Sequence, residues 1–212
     1  MTKKQRAEEV LFRLETRYPE AECALLWQGQ PWRLLVMGRL SAQCTDARVN
    51  VVCEELFAKY PTPEALAEAP LSDIEAVVRP CGLYRTKAKN LKDSCEKLVR
   101  EFDGVLPSDM ETLLTFPGVG RKIANLLRGD VFGLGGIVAD THCIRIAARL
   151  GLTAKGEKDP LRTEKALAKL ICEDKQSDFC HRMVMFGRDV CTARAPRCGE
   201  CPLRDLCPEN KK

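Results

Sequence analysis

Two short segments of the sequence contain the residue types from which chemistry could be built. The first runs from Phe116 to Lys122, where a proline and two glycines precede an arginine and a lysine. A lysine amine can act as a nucleophile when it is uncharged. The second segment has four cysteines close together near the end of the chain, and four thiolates can hold a metal ion or a cluster. These cysteines are Cys191, Cys198, Cys201 and Cys207.

The glycine segment is typical of a tight turn between two helices. Pro117 ends the preceding helix, Gly118 and Gly120 permit backbone angles and close approaches that other residues resist, and Arg121 begins a new helix. Exposed N–H groups at the positive end of a helix dipole suit a phosphate oxygen, and such a backbone contact reads no base sequence. For a lone G-x-G pattern, an ordinary interhelical loop is the more common explanation.

The clustered cysteines favour metal ligation over disulfides. The chain has 12 cysteines but no export signal, so reduced thiols are expected. The segment has too few large apolar residues to form a core without a metal. Four sulfurs could bind zinc or a [4Fe–4S] cluster, and the residues alone do not choose between them.

Apolar residues recur at three- and four-residue steps along nearly the whole chain, which predicts an all-α protein. Helices are predicted from Ala7 to Leu14, from Pro31, after Asp46, and at 84–102, 121–128, 141–150 and 160–172. Helix starts are predicted at Thr62-Pro63 and Asp159-Pro160, and capping boxes at Ser72–Glu75 and Ser108–Glu111.

Composition and charge exclude several classes of protein. The chain has 212 residues, of which 45% are hydrophobic and 30% charged, so a packed core is expected rather than disorder. This length allows one domain or two small ones. The net charge of +4 permits an anionic partner without requiring one. No apolar run is long enough to predict a membrane span or a secretory signal.

Several motifs together resemble the endonuclease III family of DNA repair glycosylases. They are Leu114–Ala124, Val138–His142, Leu40–Asp46, Cys81–Tyr84 and the terminal cysteines, and the resemblance covers almost the entire chain. It implies an all-α, two-lobed helix-hairpin-helix DNA glycosylase fold with a C-terminal iron–sulfur cluster loop. In that fold, residues 24–134 form a helical barrel domain with the hairpin, and residues 1–23 join 135–212 in the cluster domain.

The resemblance also implies a bifunctional DNA N-glycosylase and abasic-site lyase of base excision repair. Lys122 would attack C1′ of a flipped-out nucleotide, expel a damaged base, expected to be an oxidised pyrimidine, and form a Schiff base. Loss of the C2′ proton would then release the 3′ phosphate by β-elimination. Asp140 would stabilise charge on the sugar or deprotonate Lys122. The physics agrees, because the first turn of a helix disfavours an ammonium, and partial burial would disfavour it further.

The resemblance implies that Gln43 and Leu83 fill the gap left by the extruded base. Arg194 and Arg197 lie in the six-residue loop between the first two clustered cysteines, and this position predicts that they face DNA phosphates. Arg85, Lys87 and Lys89 would extend this basic surface. The backbone anchor would be formed by Gly118, Val119, Gly120 and Arg121. Cys191, Cys198, Cys201 and Cys207 would hold a [4Fe–4S] cluster.

The expected partner is double-stranded DNA that contains damaged bases or abasic sites. No membrane partner is expected, and the protein is predicted to be a monomer in the cytoplasm of a prokaryotic-type cell, associated with the nucleoid. Two alternatives stay open: a monofunctional glycosylase of the same superfamily, and a non-catalytic iron–sulfur DNA-binding or electron-transfer module. Ile123, Cys44, Cys143 and Phe186 depart from the commonest family pattern, which leaves substrate preference and local packing open.

Overall fold

The computed structural model describes residues 1–210, and these residues form helices joined by turns, with no β-strand among them. The predicted all-α class is therefore confirmed. No helix within this part of the chain is long and apolar enough to cross a membrane. The eleven α-helices described are α1 (Lys3–Arg17), α2 (Pro31–Leu40), α3 (Asp46–Lys59), α4 (Pro63–Glu68), α5 (Leu71–Val78), α6 (Tyr84–Phe102), α7 (Met110–Leu113), α8 (Arg121–Phe132), α9 (Thr141–Arg149), α10 (Pro160–Ala168) and α11 (Gln176–Asp189).

The chain divides into two compact units, each with its own apolar core. One unit is the continuous stretch Cys23–Phe132, which contains α2 to α8. The other combines Met1–Glu22 with Gly133–Lys212, so that α1 belongs with α9, α10 and α11. The hairpin and the cysteine cluster thus lie in different units.

Helix α2 lies at the centre of the continuous unit, where most of its residues are buried. Gly38 on this helix allows α8 to pack closely, since a Cβ at this position would lie 3.2 Å from Cγ2 of Ile123. The long helix α6 packs against α4 and α5. Helix α8, which follows the glycine turn, is therefore fixed to the most buried helix of its unit.

Ion pairs join the two ends of the chain within the discontinuous unit. Arg13 of α1 contacts Asp205 with 2.6 Å between Nη1 and Oδ1, and Arg17 contacts Asp189 at the end of α11 at 2.9 Å. Helix α1 also packs directly on α11. The N-terminal helix thus holds the segment that carries the four cysteines.

Side-chain caps define most helix starts. Thr62 and Asp159 accept hydrogen bonds from Ala65 N and Arg162 N, which confirms both predicted starts before a proline. The two predicted capping boxes are wrong. Helix α5 begins one residue before Ser72, because the carbonyl of Pro70 accepts the first helical bond. Asp109, rather than the preceding serine, caps α7. Helix α8 continues to Phe132, and α10 ends at Ala168.

Candidate functional site

The turn between α7 and α8 depends on Gly118. This residue has φ of +74°, a conformation that side chains disfavour, and a Cβ there would lie 2.5 Å from Nδ2 of Asn90 and would also clash with Arg39. The N–H of Val119 donates to the carbonyl of Phe116 at 3.0 Å and closes the turn. The predicted hairpin is therefore present, and Gly118 is required both for its backbone angle and for its packing.

The exposed side of this turn presents backbone donors. Gly118 and Gly120 are exposed, and their N–H groups find no acceptor among residues 1–210. A Cβ at Gly120 would meet open space, so this position leaves room for a phosphate to approach. Val119 corrects the sequence-based prediction: its side chain is 7% exposed and its N–H is already bonded, so it supports the turn from inside instead of contacting DNA.

Lys122 lies on the exposed side of the first turn of α8. Ala124, Asn125 and Leu127 form the buried face of this helix, which leaves Arg121 and Lys122 on the surface beside the glycine turn. The partial burial expected for Lys122 is not found, because its side chain is exposed. Lys122 therefore lies open to solvent at the N-terminus of α8.

Asp140 is the N-cap of α9. Its Oδ1 accepts a hydrogen bond of 2.7 Å from the N–H of Cys143, and its side chain is half-buried. Within residues 1–210 no second donor reaches this carboxylate. One carboxylate oxygen therefore fixes the side chain to the helix, while the other can still act on a substrate.

Gln43 and Leu83, the predicted gap-filling residues, share an unusual backbone conformation. They have φ of +55° and +49°, respectively, and each side chain is exposed, with Leu83 at 62%. A non-glycine residue in this region costs about 1–2 kcal/mol, and such residues concentrate at functional sites. Leu83 directly precedes α6, and Gly82 before it also has positive φ, of +67°.

Two of the three basic residues after Leu83 are on the surface, and the third is buried. Arg85 is exposed and lies over the Tyr84 ring, with 5.6 Å from Cζ to the ring centroid. Lys89 is exposed and pairs with Asp93 at 2.8 Å. Lys87 contradicts the prediction, because only 1% of it is exposed and its ammonium points into the protein. It cannot contact DNA directly.

The four clustered cysteines line one cavity of about 190 Å³. No three of their sulfur atoms lie within 4.8 Å of one another in the described part of the chain. A tetrahedral zinc site, with Zn–S bonds of about 2.3 Å, would bring all four sulfurs to about 3.8 Å from each other. In a [4Fe–4S] cluster each cysteine binds a different iron, so the sulfurs lie farther apart. The donor set and its spacing therefore fit a cluster better than a single ion.

Arg149 of α9 holds the wall of this cavity. Its Nη1 donates to Sγ of Cys191 at 3.3 Å and to the carbonyl of Thr192 at 2.8 Å. Burial raises the pKa of the Cys201 thiol, and the neighbouring thiols of the cavity raise it further. An N–H donor to sulfur stabilises a thiolate and is one means by which proteins adjust iron–sulfur sites.

The two arginines of the cysteine loop differ in their contacts. Arg194 is exposed and has no ion-pair partner among residues 1–210. Arg197 is held by Asp189: its Nε donates to the Asp189 carbonyl at 2.9 Å, and its Nη2 contacts the carboxylate. It also lies 3.6 Å from Glu200. Arg194 is therefore available to bind a phosphate. Arg197 would first have to break its contact with the Asp189 carboxylate before it could bind one.

Comparison with known proteins agrees with these features. The model of the HhH-GPD superfamily of base excision DNA repair proteins matches residues 36–173, and the model of the iron-sulfur binding domain of endonuclease III matches residues 191–207. Endonuclease III of Synechocystis sp. is 49% identical over 98% of this chain and 94% of its own length.

The chain belongs to the endonuclease III family. Two solved structures agree, one a non-covalent complex of endonuclease III with DNA and the other a trapped covalent endonuclease III–DNA intermediate with an estranged adenine. Each has a TM-score of 0.92 and 41% identity, covering 100% of this chain and 98% of its own. The protein is a DNA-binding base excision repair glycosylase and abasic-site lyase with a [4Fe–4S] cluster.

The departures from the commonest family pattern are mostly internal. Ile123 packs against Gly38, while Cys143 and Phe186 are buried in the core of the discontinuous unit. Sequence reasoning missed Arg149 and the buried position of Lys87. The Cys191 partner of Arg149 lies 42 positions away along the chain, and Lys87 has one partner 47 positions away and another, Cys81, six positions away.

Proposed function

We propose that this endonuclease III family member excises oxidised pyrimidines by covalent catalysis through Lys122. The observation that supports it most directly is the exposed amine of Lys122, in the first turn of α8 beside the N–H groups of Gly118 and Gly120. Backbone N–H groups of this kind bind a DNA phosphate, and this contact brings the sugar–phosphate backbone of the DNA close to the amine. The trapped covalent intermediate solved for a relative with 41% identity is consistent with such a bond.

The proposed reaction begins with the damaged nucleotide outside the base stack, since C1′ is inaccessible within it. The neutral amine of Lys122 attacks C1′, the glycosidic C–N bond breaks, and the base leaves with a proton. The resulting adduct opens to a Schiff base between C1′ and Nζ. Loss of the C2′ proton expels the 3′ phosphate and cuts the strand, and water then hydrolyses the Schiff base to release the enzyme.

Asp140 is proposed to act on the same sugar, either by stabilising its developing positive charge or by taking a proton from Lys122. The hydrogen bond from Cys143 N fixes this carboxylate and leaves its other oxygen for the substrate. Such preorganised charge is worth about a hundredfold or more in rate. Gln43 and Leu83 are proposed to occupy the space left by the extruded nucleotide.

Cys191, Cys198, Cys201 and Cys207 are proposed to hold the [4Fe–4S] cluster. When bound, the cluster supplies a structural crosslink for the last segment of the discontinuous unit. Arg194 beside it is proposed to contact a phosphate. We also propose that the protein acts as a monomer on damaged or abasic duplex DNA, in the cytoplasm with the nucleoid.

Borohydride trapping tests this proposal. Wild-type protein is incubated with a duplex that contains one oxidised pyrimidine or one abasic site, and a covalent adduct is expected. Lys122→Ala should form none, whereas Lys59→Ala, which removes an exposed lysine on α3 that pairs with Asp73, should trap like the wild type. Base release without an adduct would instead indicate a monofunctional glycosylase, and the absence of both would indicate a non-catalytic module. A panel of duplexes with single defined lesions identifies the preferred base.

A further inference from the structure

Lys87 is a buried cation that connects two loops. Its Nζ donates to the carbonyl of Leu40 at 2.9 Å and to the carbonyl of Cys81 at 2.7 Å. Leu40 is the last residue of α2, three positions before Gln43, and Cys81 lies two positions before Leu83. A single ammonium group thus contacts the start of the two segments that carry Gln43 and Leu83, which are both exposed and have positive φ.

This arrangement is costly for the folded protein. Among residues 1–210 no carboxylate pairs with Lys87, and burial lowers the pKa of its amine. A buried charge without a counter-charge destabilises a protein unless its hydrogen bonds compensate. The two carbonyls provide that compensation. Because they belong to Leu40 and Cys81, the ammonium group also connects two segments that are 41 positions apart in the sequence. An apolar side chain would fill the same core position without the desolvation cost.

Both loops also hold strained residues. Gln43 and Leu83 keep left-handed backbone conformations only if the surrounding structure holds them there. Lys87 supplies such a restraint for both, since its two acceptors lie within three residues of them. A shift of about 1 Å in one loop relative to the other can cost a large factor in rate when two groups must act on the same opened base step.

We propose that Lys87 is a positioning residue that ties the Gln43 and Leu83 loops together, so that both side chains enter the opened duplex as one unit. The inference rests on the gap-filling roles proposed above for these two residues. It assigns to Lys87 no contact with substrate. Its effect should therefore be confined to substrates in which a nucleotide leaves a base-paired stack.

The test compares two substrates under single-turnover borohydride trapping. In duplex DNA with one abasic site the loops must fill a gap, whereas in single-stranded abasic DNA no gap exists. Lys87→Met removes the ammonium and keeps an unbranched apolar chain. Its trapping rate on the duplex should fall about tenfold or more, while its rate on the single strand stays within about twofold of wild type.

Lys92→Met is the matched control. Lys92 lies on the same helix and also donates to two carbonyls, those of Ala67 and Ala69, the latter at 3.1 Å, but it contacts neither loop. It should leave the ratio of duplex to single-strand rates unchanged, even where it lowers the unfolding temperature. An equal loss on both substrates by Lys87→Met, or no loss on either, would overturn the inference. Failure of wild-type trapping on both substrates would refute the proposed function instead.

A double-mutant cycle adds a second measurement. If Lys87 acts through the Leu83 loop, then Leu83→Ala combined with Lys87→Met should slow the duplex reaction little more than Leu83→Ala alone. Fully additive losses would contradict the coupling. If Lys87→Met does not fold, Lys87→Leu, which also removes every donor to the two carbonyls, replaces it in the same comparison.

Discussion

The two glycines of the turn, Gly118 and Gly120, should respond differently to the same substitution. Gly118→Ala places a methyl group in a left-handed conformation and against Asn90 and Arg39. The left-handed backbone conformation destabilises the folded state by about 1–2 kcal/mol, and the overpacking destabilises it by about 1–3 kcal/mol. Alanine also lowers the conformational entropy of the unfolded chain, which stabilises the folded state by about 0.4–1 kcal/mol. The free energy of unfolding should therefore fall by about 1–4.6 kcal/mol.

Gly120→Ala should behave differently, because the added methyl group meets open space and this residue does not have positive φ. Alanine is a less favourable helix cap than glycine, which lowers stability, but it also reduces the conformational entropy of the unfolded chain, which raises stability. These two effects offset each other, so the free energy of unfolding should stay within about 0.5 kcal/mol of wild type. The methyl group instead occupies the space proposed for a phosphate. A charge-assisted backbone bond is worth about 1.5–3 kcal/mol, so Kd for DNA should rise about tenfold or more.

Urea unfolding and fluorescence anisotropy measure the two effects separately. The DNA ligand is a duplex with an abasic analogue that cannot be cleaved, so binding is read without turnover. Both variants are compared at the same salt concentration, because phosphate contacts depend strongly on it. Wild-type stability in Gly118→Ala, or wild-type DNA affinity in Gly120→Ala, would refute this account of the turn.

Four further outcomes are expected. Asp140→Asn should keep the helix cap and the affinity for DNA but slow base release about a hundredfold, in single-turnover assays; an equal loss of binding would contradict its role. Leu83→Gly should relieve backbone strain and raise the unfolding temperature while slowing excision from duplex DNA; a lower unfolding temperature would argue against strain. Arg194→Ala should reduce the salt dependence of binding by about one ion, and Arg197→Ala by less, since Asp189 already holds it. Cys207→Ser should lose visible absorbance, iron and thermal stability together; retention of all three would exclude it as a ligand.

The sequence predicts a helix start correctly where the interaction that fixes the start joins residues close together in the chain. Thr62 and Asp159 cap helices through bonds to residues three positions later, and both starts could be predicted from the sequence. The same reasoning failed at Ser72, because the carbonyl of Pro70 accepted the first helical bond and left the serine inside the helix. Two overlapping local signals thus compete, and the sequence alone does not rank them.

Long-range contacts limited the prediction of the site. The hairpin glycines, Lys122 and the cysteine spacing are short-range patterns, so they could be recognised before the fold was known. The sequence places Lys87 with Arg85 and Lys89 on a basic surface, but one acceptor 47 positions away and another six positions away hold its ammonium in the core. The sequence likewise predicts Val119 at the DNA surface, although the turn directs both its side chain and its N–H inward.

The division of the chain affects the order in which it can fold during synthesis. Helix α1 is synthesised well before its partners α11 and Asp205. The stretch Cys23–Phe132 contains all of its own core and can complete its packing while the remaining residues are still being added. Helix α1 must therefore stay unpaired until α11 and the cysteine segment have been synthesised, so the discontinuous unit completes its core after the continuous one.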